Sequence, residues 1–234
     1  MTVQFSTALH RGHLLKRYKR FLADVQLDDG TIVTAHCPNT GSMKTCYEEN
    51  GRVWLSFSSD PKRKLRYTWE FSETEGGLIG VNTSKPNAVI AEGISNGLIA
   101  QLAGYKNLRQ EVKYGKNSRI DILLEDPAKG SCYVEVKNTT LLEGLGILFP
   151  DAVTERGLKH LEELKQTVDS GHRAVMVYFI NRPEGAFFTP ADSIDPKYGK
   201  ALRTAVKQGV EVIAIRAKSS TTGITVGELV PVQL

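Results

Sequence analysis

Apolar and polar positions alternate in short runs over the first eighty residues, the period of half-buried strands. Phe21, Ala23, Val25 and Leu27 alternate with Leu22, Asp24 and Gln26, and Asp28-Asp29-Gly30 then supplies a hairpin turn. A return strand follows over 32–36. Val53, Leu55 and Phe57 mark another strand, and 67–71 and 78–81 two more, separated by a turn at Gly76-Gly77. Some five short strands in this length predict a small closed barrel of the OB type over residues 1–81. Trp54 and Trp69 are expected in its core.

The period changes after the polar stretch NTSKPN. Ile90, Ile94, Leu98 and Leu102 recur every four residues, one stripe of a helix that Gly93 and Gly97 weaken. Strands are predicted over 110–114, 119–125 and 131–138. A helix follows over 151–169 with Val153, Gly157, Leu161, Leu164 and Val168 on one face. The continuous apolar run 173–180 reads as a strand covered on both sides. A helix over 196–208 and a strand over 210–216 close the order. Residues 82–234 are thus expected to form a mixed sheet flanked by helices, giving an α/β (α+β) chain of two domains.

Composition narrows the class of protein. The chain has 234 residues, 41% of them hydrophobic, enough for a full core. Three cysteines without a C-x-x-C exclude a disulfide framework or a zinc knuckle and suit a reducing cytoplasm. No apolar run is long enough to span a bilayer, so no membrane association is expected. The net charge of +4 permits an anionic partner without demanding one.

Candidate chemistry lies in RIDILLEDPAKGSCYVEVKN, residues 119–138. Asp121 is bracketed by Ile120, Ile122, Leu123 and Leu124, where a freely solvated carboxylate is not expected. Tyr133, Glu135 and Lys137 share one strand face, and Val134 and Val136 the other. The adjoining strands can bring Asp121, Glu135 and Lys137 together. Two carboxylates suit Mg²⁺ (or Mn²⁺), which lowers the pKa of bound water and neutralises phosphodiester charge. Lys137 can orient that water or stabilise the transition state. The plainer alternative is a structural ion pair of Asp121 with Lys137. A second copy of the tripeptide, Glu111-Val112-Lys113, has no Asp before it back to Asp60 and is read as a chance recurrence.

Two basic runs suggest a nucleic-acid surface. Lys16, Arg17, Lys19 and Arg20 surround Tyr18 and Phe21, and Lys62, Arg63, Lys64 and Arg66 form the second. On one side of a barrel they would follow a phosphate backbone while aromatics stack on bases. On unrelated faces they would be solvated charge. Residues 1–80 hold 11 basic against 9 acidic residues, so the argument rests on clustering. Arg156, Lys159 and His160 fall on the polar face of the 151–169 helix and can contact phosphate. His160 can equally be an ordinary surface histidine. Asp151 caps that helix or lies near the metal. His36-Cys37 reads as the edge of a turn over Asn39 and Gly41, not as a catalytic pair.

The stretches LLKRYKRFLADV, HCPNTGSM, VNTSKPNAVIAE, SRIDILL, YVEVKNTTL and FPDAVTERGLKHLEEL resemble the sugar fermentation stimulation protein A family. Asp121 with Glu135-Val136-Lys137 resembles the PD-(D/E)xK nuclease core, with Ile120 where the motif often has Pro. The resemblance implies an OB-like domain, a nuclease-type domain, nonspecific DNA binding (RNA being open) and a link to sugar, notably maltose, metabolism. It also implies an acidic residue on the first helix, for which Glu92 is the candidate; an exposed helix Glu is the alternative. Two functions follow: a metal-dependent nuclease, or a DNA-binding regulator on the same fold without cleavage. Direct sugar binding has little support.

Overall fold

The computed structural model of the protein describes residues 3–115 and 118–234. Strand β1 (Val3–Gln4) is followed by β2 (His10–Tyr18), β3 (Leu22–Leu27), β4 (Ile32–His36), β5 (Arg52–Phe57), β6 (Tyr67–Thr74) and β7 (Gly77–Gly80). The order β4-β3-β2-β5-β6 closes on itself through a parallel β4–β6 pairing, and β7 flanks β6. The result is a five-stranded barrel of the OB type, filled by Leu14, Ala23, Val25, Ala35, Val53, Leu55 and Trp69. Trp54 departs from expectation. It lies outside the barrel, donates to Glu73 at 3.0 Å and packs on the core of the following domain. Strand β2 was not anticipated, because its fully buried positions are only Gly12 and Leu14 among His, Arg and Lys.

Helix α1 (Pro86–Ser95) opens the second domain, followed by β8 (Asn107–Tyr114), β9 (Ser118–Asp126) and β10 (Gly130–Thr139). Next come β11 (Leu141–Glu143), β12 (Gly146–Phe149), α2 (Glu155–Asp169), β13 (Arg173–Ile180), β14 (Phe187–Pro190), α3 (Pro196–Lys207), β15 (Glu211–Ser220) and β16 (Gly223–Leu229). The main sheet has the order β1-β16-β15-β13-β10-β9-β8, parallel only across β10-β13-β15. One face packs on α1 through Val89, Ile90 and Ile94, and the other on α2 and α3 through Leu161, Leu164 and Leu202. Burial on both sides explains the unbroken apolar run of β13. Residues 3–4 join this sheet rather than the barrel.

Two expectations about helix ends are corrected. Helix α1 ends before Leu98, because Gly97 takes φ +70° and the Leu98 N–H bonds back to Gly93 O at 2.9 Å. Leu98 is exposed, while Leu102 is buried from a separate 3-10 turn. Helix α2 starts at Glu155, not 151, with Thr154 as its cap, so Val153 lies outside the helix and is exposed. The small sheet β11-β12-β14 was not foreseen, its strands being three or four residues long, and β16 follows the strand that was expected to close the order. Among the described residues no helix is long and apolar enough to cross a membrane.

Polar contacts join the two domains. Arg182, 4% exposed, donates to Thr45 O, Thr45 Oγ1 and Thr140 O. Asp151 accepts from Ser42 Oγ at 3.1 Å and Met43 N at 3.3 Å. Asp151 therefore seats the barrel's 39–43 loop and does not cap α2.

Candidate catalytic site

The site forms where the main sheet splits. Side chains two apart on a strand share a face, yet Ile122 of β9 packs toward α1 and Ile120 toward α2. Leu108 and Val112 of β8 divide in the same way. The change of face falls at Asp121. The β9–β10 ladder runs to Val134 opposite Ile122 and stops. Beyond it, the Val136 N–H donates to Asp121 Oδ2 at 2.7 Å, so a side chain replaces a backbone partner. This explains a carboxylate within an apolar run: Asp121 stands at a fork between two cores.

Glu135 and Lys137 come from β10, and α2 supplies the opposite wall. Glu135 is 1% exposed. Its Oε1 accepts from Lys137 Nζ at 2.7 Å and is in hydrogen-bond contact with His160 Nδ1. Arg156 Nε donates to His160 Nε2 at 3.4 Å, which assigns the His160 proton to Nδ1 and its direction toward Glu135. Glu135 Oε2 is buried without a hydrogen-bond partner among the described residues.

The two carboxylates differ electrostatically. Burial, then the charge of Glu135, pushes the Asp121 carboxyl up to about 6 against the lowering effect of the Val136 N–H, Lys137 and Asn87. Burial acts on Glu135 in the same sense, but the hydrogen bond from His160 and the charge and hydrogen bond of Lys137 outweigh it and hold Glu135 below its ordinary value. Tyr114, whose hydroxyl is buried without a hydrogen-bond partner among the described residues, is raised well above the usual phenol range by burial and by Glu135, Glu163 and Asp121.

The structure thus brings Asp121, Glu135 and Lys137 together and adds residues the sequence did not reveal. His160 is buried against Glu135 and is no surface histidine. Glu163, one helical turn on, is also buried and accepts from Ser118 at 2.7 Å. The α1 side chain on Asp121 is Asn87, which donates to Oδ1 at 2.8 Å. Glu92 lies five residues further, about 140° around the helix from Asn87. Glu111, set aside as part of a chance tripeptide, accepts from the same Asn87 amide at 3.4 Å. Its signal was the spacing that pairs β8 with β9 across Asp121.

The basic residues divide into two groups. Arg17 and Arg20 are tied to carbonyls of the 39–41 loop, Arg17 to Asn39 O at 2.9 Å and Gly41 O at 3.1 Å, Arg20 to Thr40 O at 2.8 Å. Arg63 donates to Thr68 and Arg66 lies over Phe57. Lys16, Lys19, Lys62 and Lys64 are exposed. Both segments lie at one end of the barrel, since His36 pairs with Leu22 on one side and Thr68 on the other. Cys37 is buried with its thiol toward Asn39 O, apart from any catalytic pairing.

A divalent cation fits this donor set in part. Among the described residues no three His, Cys, Asp or Glu side chains form a ready-made cage. Two carboxylates, one with an unpartnered buried oxygen, suit an ion that keeps several of its waters. Asp121 and Glu135 are the residues that would hold it.

Comparison with known proteins agrees with the architecture. The SfsA N-terminal OB domain matches residues 15–81, and the sugar fermentation stimulation protein RE domain matches 84–223. Sugar fermentation stimulation protein homologs of Geobacter sulfurreducens and Rhodospirillum rubrum are each 54% identical, over 96% and 97% of this chain and 96% and 98% of theirs. The structure of Pyrococcus furiosus SfsA in complex with Ca²⁺ is similar at TM-score 0.90 and 26% identity, covering 100% of both chains. With both domains matched in order and over half of all positions shared with full-length relatives, the chain belongs to the sugar fermentation stimulation protein family.

Proposed function

We propose that this protein is a Mg²⁺- or Mn²⁺-dependent nuclease that hydrolyses phosphodiester bonds of DNA or RNA. The observation that carries the reading is the convergence of Asp121, Glu135 and Lys137 at the fork of the sheet, with Glu135 Oε2 left unpartnered. Ca²⁺ bound to the Pyrococcus furiosus relative supports a divalent site in this fold. A bound Mg²⁺ would lower the pKa of its water and neutralise charge on the phosphodiester. Asp121 and Glu135 would hold the cation through their carboxylates. His160 donates to Glu135 Oε1 and fixes the orientation of that carboxylate. Lys137, whose ammonium donates to Glu135 Oε1, would orient the attacking water or donate to a phosphate oxygen. Arg156 bonds His160 and offers further N–H groups to phosphate.

The barrel end that carries Lys16, Lys19, Lys62 and Lys64 leads toward this site. Its 39–43 loop reaches Asp151, and Thr83, just before α1, donates to Pro38 O at 3.0 Å. A strand lying along those lysines would pass the start of α1 and arrive at Asp121. A second reading is a DNA-binding regulator without cleavage. It is favoured by Glu135 already being satisfied at Oε1 by Lys137 and His160. A role in sugar (maltose) metabolism has the family's name in its support and is tested by growth of a deletion strain on maltose.

The deciding experiment incubates purified protein with single- and double-stranded DNA and RNA under Mg²⁺, Mn²⁺ or EDTA, beside Lys137→Ala. Expected is metal-dependent cleavage that Lys137→Ala loses while binding persists. Undiminished cleavage in Lys137→Ala overturns the mechanism, and binding without cleavage in any metal selects the regulator.

A further inference from the structure

Asn-Thr pairs from three separate segments, with no task in that mechanism, meet at one small cavity. Asn39-Thr40 comes from the barrel, Asn82-Thr83 from the link to α1, and Asn138-Thr139 from the end of β10. The cavity measures about 50 Å³, and its polar lining includes Asn39, Thr83, Asn138 and Asp151. Asn39 Oδ1 accepts from Gly41 N at 2.8 Å, and Asn138 Oδ1 from Asn181 Nδ2 at 3.1 Å. Both amide oxygens are thus engaged, while neither Nδ2 group has a partner among the described residues. Asp151 is held in the same manner. Its Oδ2 accepts from Ser42 Oγ and Met43 N, and its Oδ1 from none of the described residues. Gly41 permits this approach, because a Cβ there would stand 2.6 Å from Asp151 Oδ2 and 3.0 Å from Asn39 Oδ1. Two amide donors and one carboxylate acceptor therefore border a space of less than two waters' share of liquid volume, about 30 Å³ each. A nucleobase is too large for it. A non-bridging phosphate oxygen only accepts and carries negative charge, so Asp151 would repel it. A hydroxyl has one O–H to donate and two lone pairs to accept with, which matches the three groups one for one.

We propose that this cavity takes one sugar hydroxyl of the nucleic-acid strand. The hydroxyl donates to Asp151 Oδ1 and accepts from Asn39 Nδ2 and Asn138 Nδ2. Asn138 directly follows Lys137 and Thr83 precedes α1, so the cavity lies on the course proposed for the strand between the barrel lysines and Asp121. Internal linkages of DNA carry no such group. Ribose supplies it at every 2′ position, and either polymer supplies one at a free 3′ end. This inference rests on the reading that a strand runs past Lys137, and it is tested by binding in EDTA rather than by cleavage.

The test measures the affinity of the full chain in EDTA for short single strands of one sequence, made as RNA, DNA and 2′-O-methyl RNA, each with a 3′-hydroxyl or a 3′-phosphate. Strands that carry the recognised hydroxyl are expected to bind about tenfold tighter, the effect of a hydrogen bond to a charged group. A preference for RNA over both DNA and 2′-O-methyl RNA supports the inference and places the hydroxyl on ribose. A preference in every polymer for the free 3′ end over the 3′-phosphate supports it and places the hydroxyl at the strand end. Asn138→Leu and Asp151→Asn should each bring the ratio near one while strands lacking the hydroxyl bind as before. Asp151→Asn retains an oxygen for Ser42 and Met43, so the 39–43 loop stays seated. Lys62→Ala should weaken all strands alike and keep the ratio. No discrimination among the strands, or discrimination that both variants keep, means that the cavity holds water only and overturns this inference alone. Hydroxyl discrimination without cleavage in any metal overturns the nuclease reading and leaves this inference standing. No binding to any strand overturns both.

Discussion

Asp121 is held where burial and the Glu135 charge both disfavour its ionised form, and this has a consequence for stability. Its carboxyl titrates near 6 in the folded chain against an ordinary 3.8. The folded state therefore binds more protons than the unfolded state between about pH 4 and 6. The resulting stability is present in full below about pH 4 and is lost as pH rises through 6. A shift of two units corresponds to roughly 2–3 kcal/mol. In EDTA at pH 8, Asp121→Asn should therefore be more stable than wild type by about 2 kcal/mol in urea denaturation, the gap closing toward pH 4. Added Mn²⁺ should stabilise wild type and leave Asp121→Asn unchanged. A variant less stable than wild type at pH 8 contradicts the electrostatic account. Asp121 was legible from sequence because a charge among Ile120, Ile122, Leu123 and Leu124 breaks a simple pattern. Glu111 was not, because a nearly identical tripeptide carries no signal until β8 is paired with β9. His160 was misjudged because one helical face holds both solvent-directed and site-directed polar groups, and only packing against β10 separates them.

Helix ends decide how α2 presents His160 and Arg156. Thr154 Oγ1 accepts from Gly157 N at 3.0 Å, and Thr154 N donates to Asp195 Oδ2 at 2.9 Å. The other Asp195 oxygen accepts from Tyr198 N at 3.0 Å and caps α3. One carboxylate, 2% exposed, thus joins the starts of both helices. Asp195→Ala should cost about 2 kcal/mol in urea denaturation, a lost cap together with buried N–H groups left unpaired. A cost no greater than that of an exposed Asp→Ala change would show the two helix starts to be independently held. Gly97→Ala tests the end of α1, where a φ of +70° should make alanine about 1 kcal/mol worse. The presence of each helix was readable from its apolar stripe. Its first residue was not, because Asp151 is also a plausible cap and the choice of Thr154 falls to the Asp195 side chain, 41 residues away.

At the scale of the whole molecule, the barrel contributes an exposed basic rim and a loop seated on the second domain. The two groups of basic residues should respond differently. Lys62→Ala with Lys64→Ala should weaken DNA binding and flatten its salt dependence by about two units of slope, leaving the melting temperature unchanged. Arg17→Ala should instead lower the melting temperature, since the guanidinium carries two carbonyls of the 39–41 loop. Equal effects of the two changes on salt slope would show that Arg17 also meets phosphate. Period-two runs, the switch to period four near residue 82 and the paired carboxylates with Lys137 were all present in the linear pattern, because alternation and spacing are local properties. Which charges are buried, which arginines serve the protein's own loops and which carboxylate faces Asp121 depended on strand register and on the fork between two cores. Those are set by contacts between residues far apart in the chain, and no local pattern encodes them.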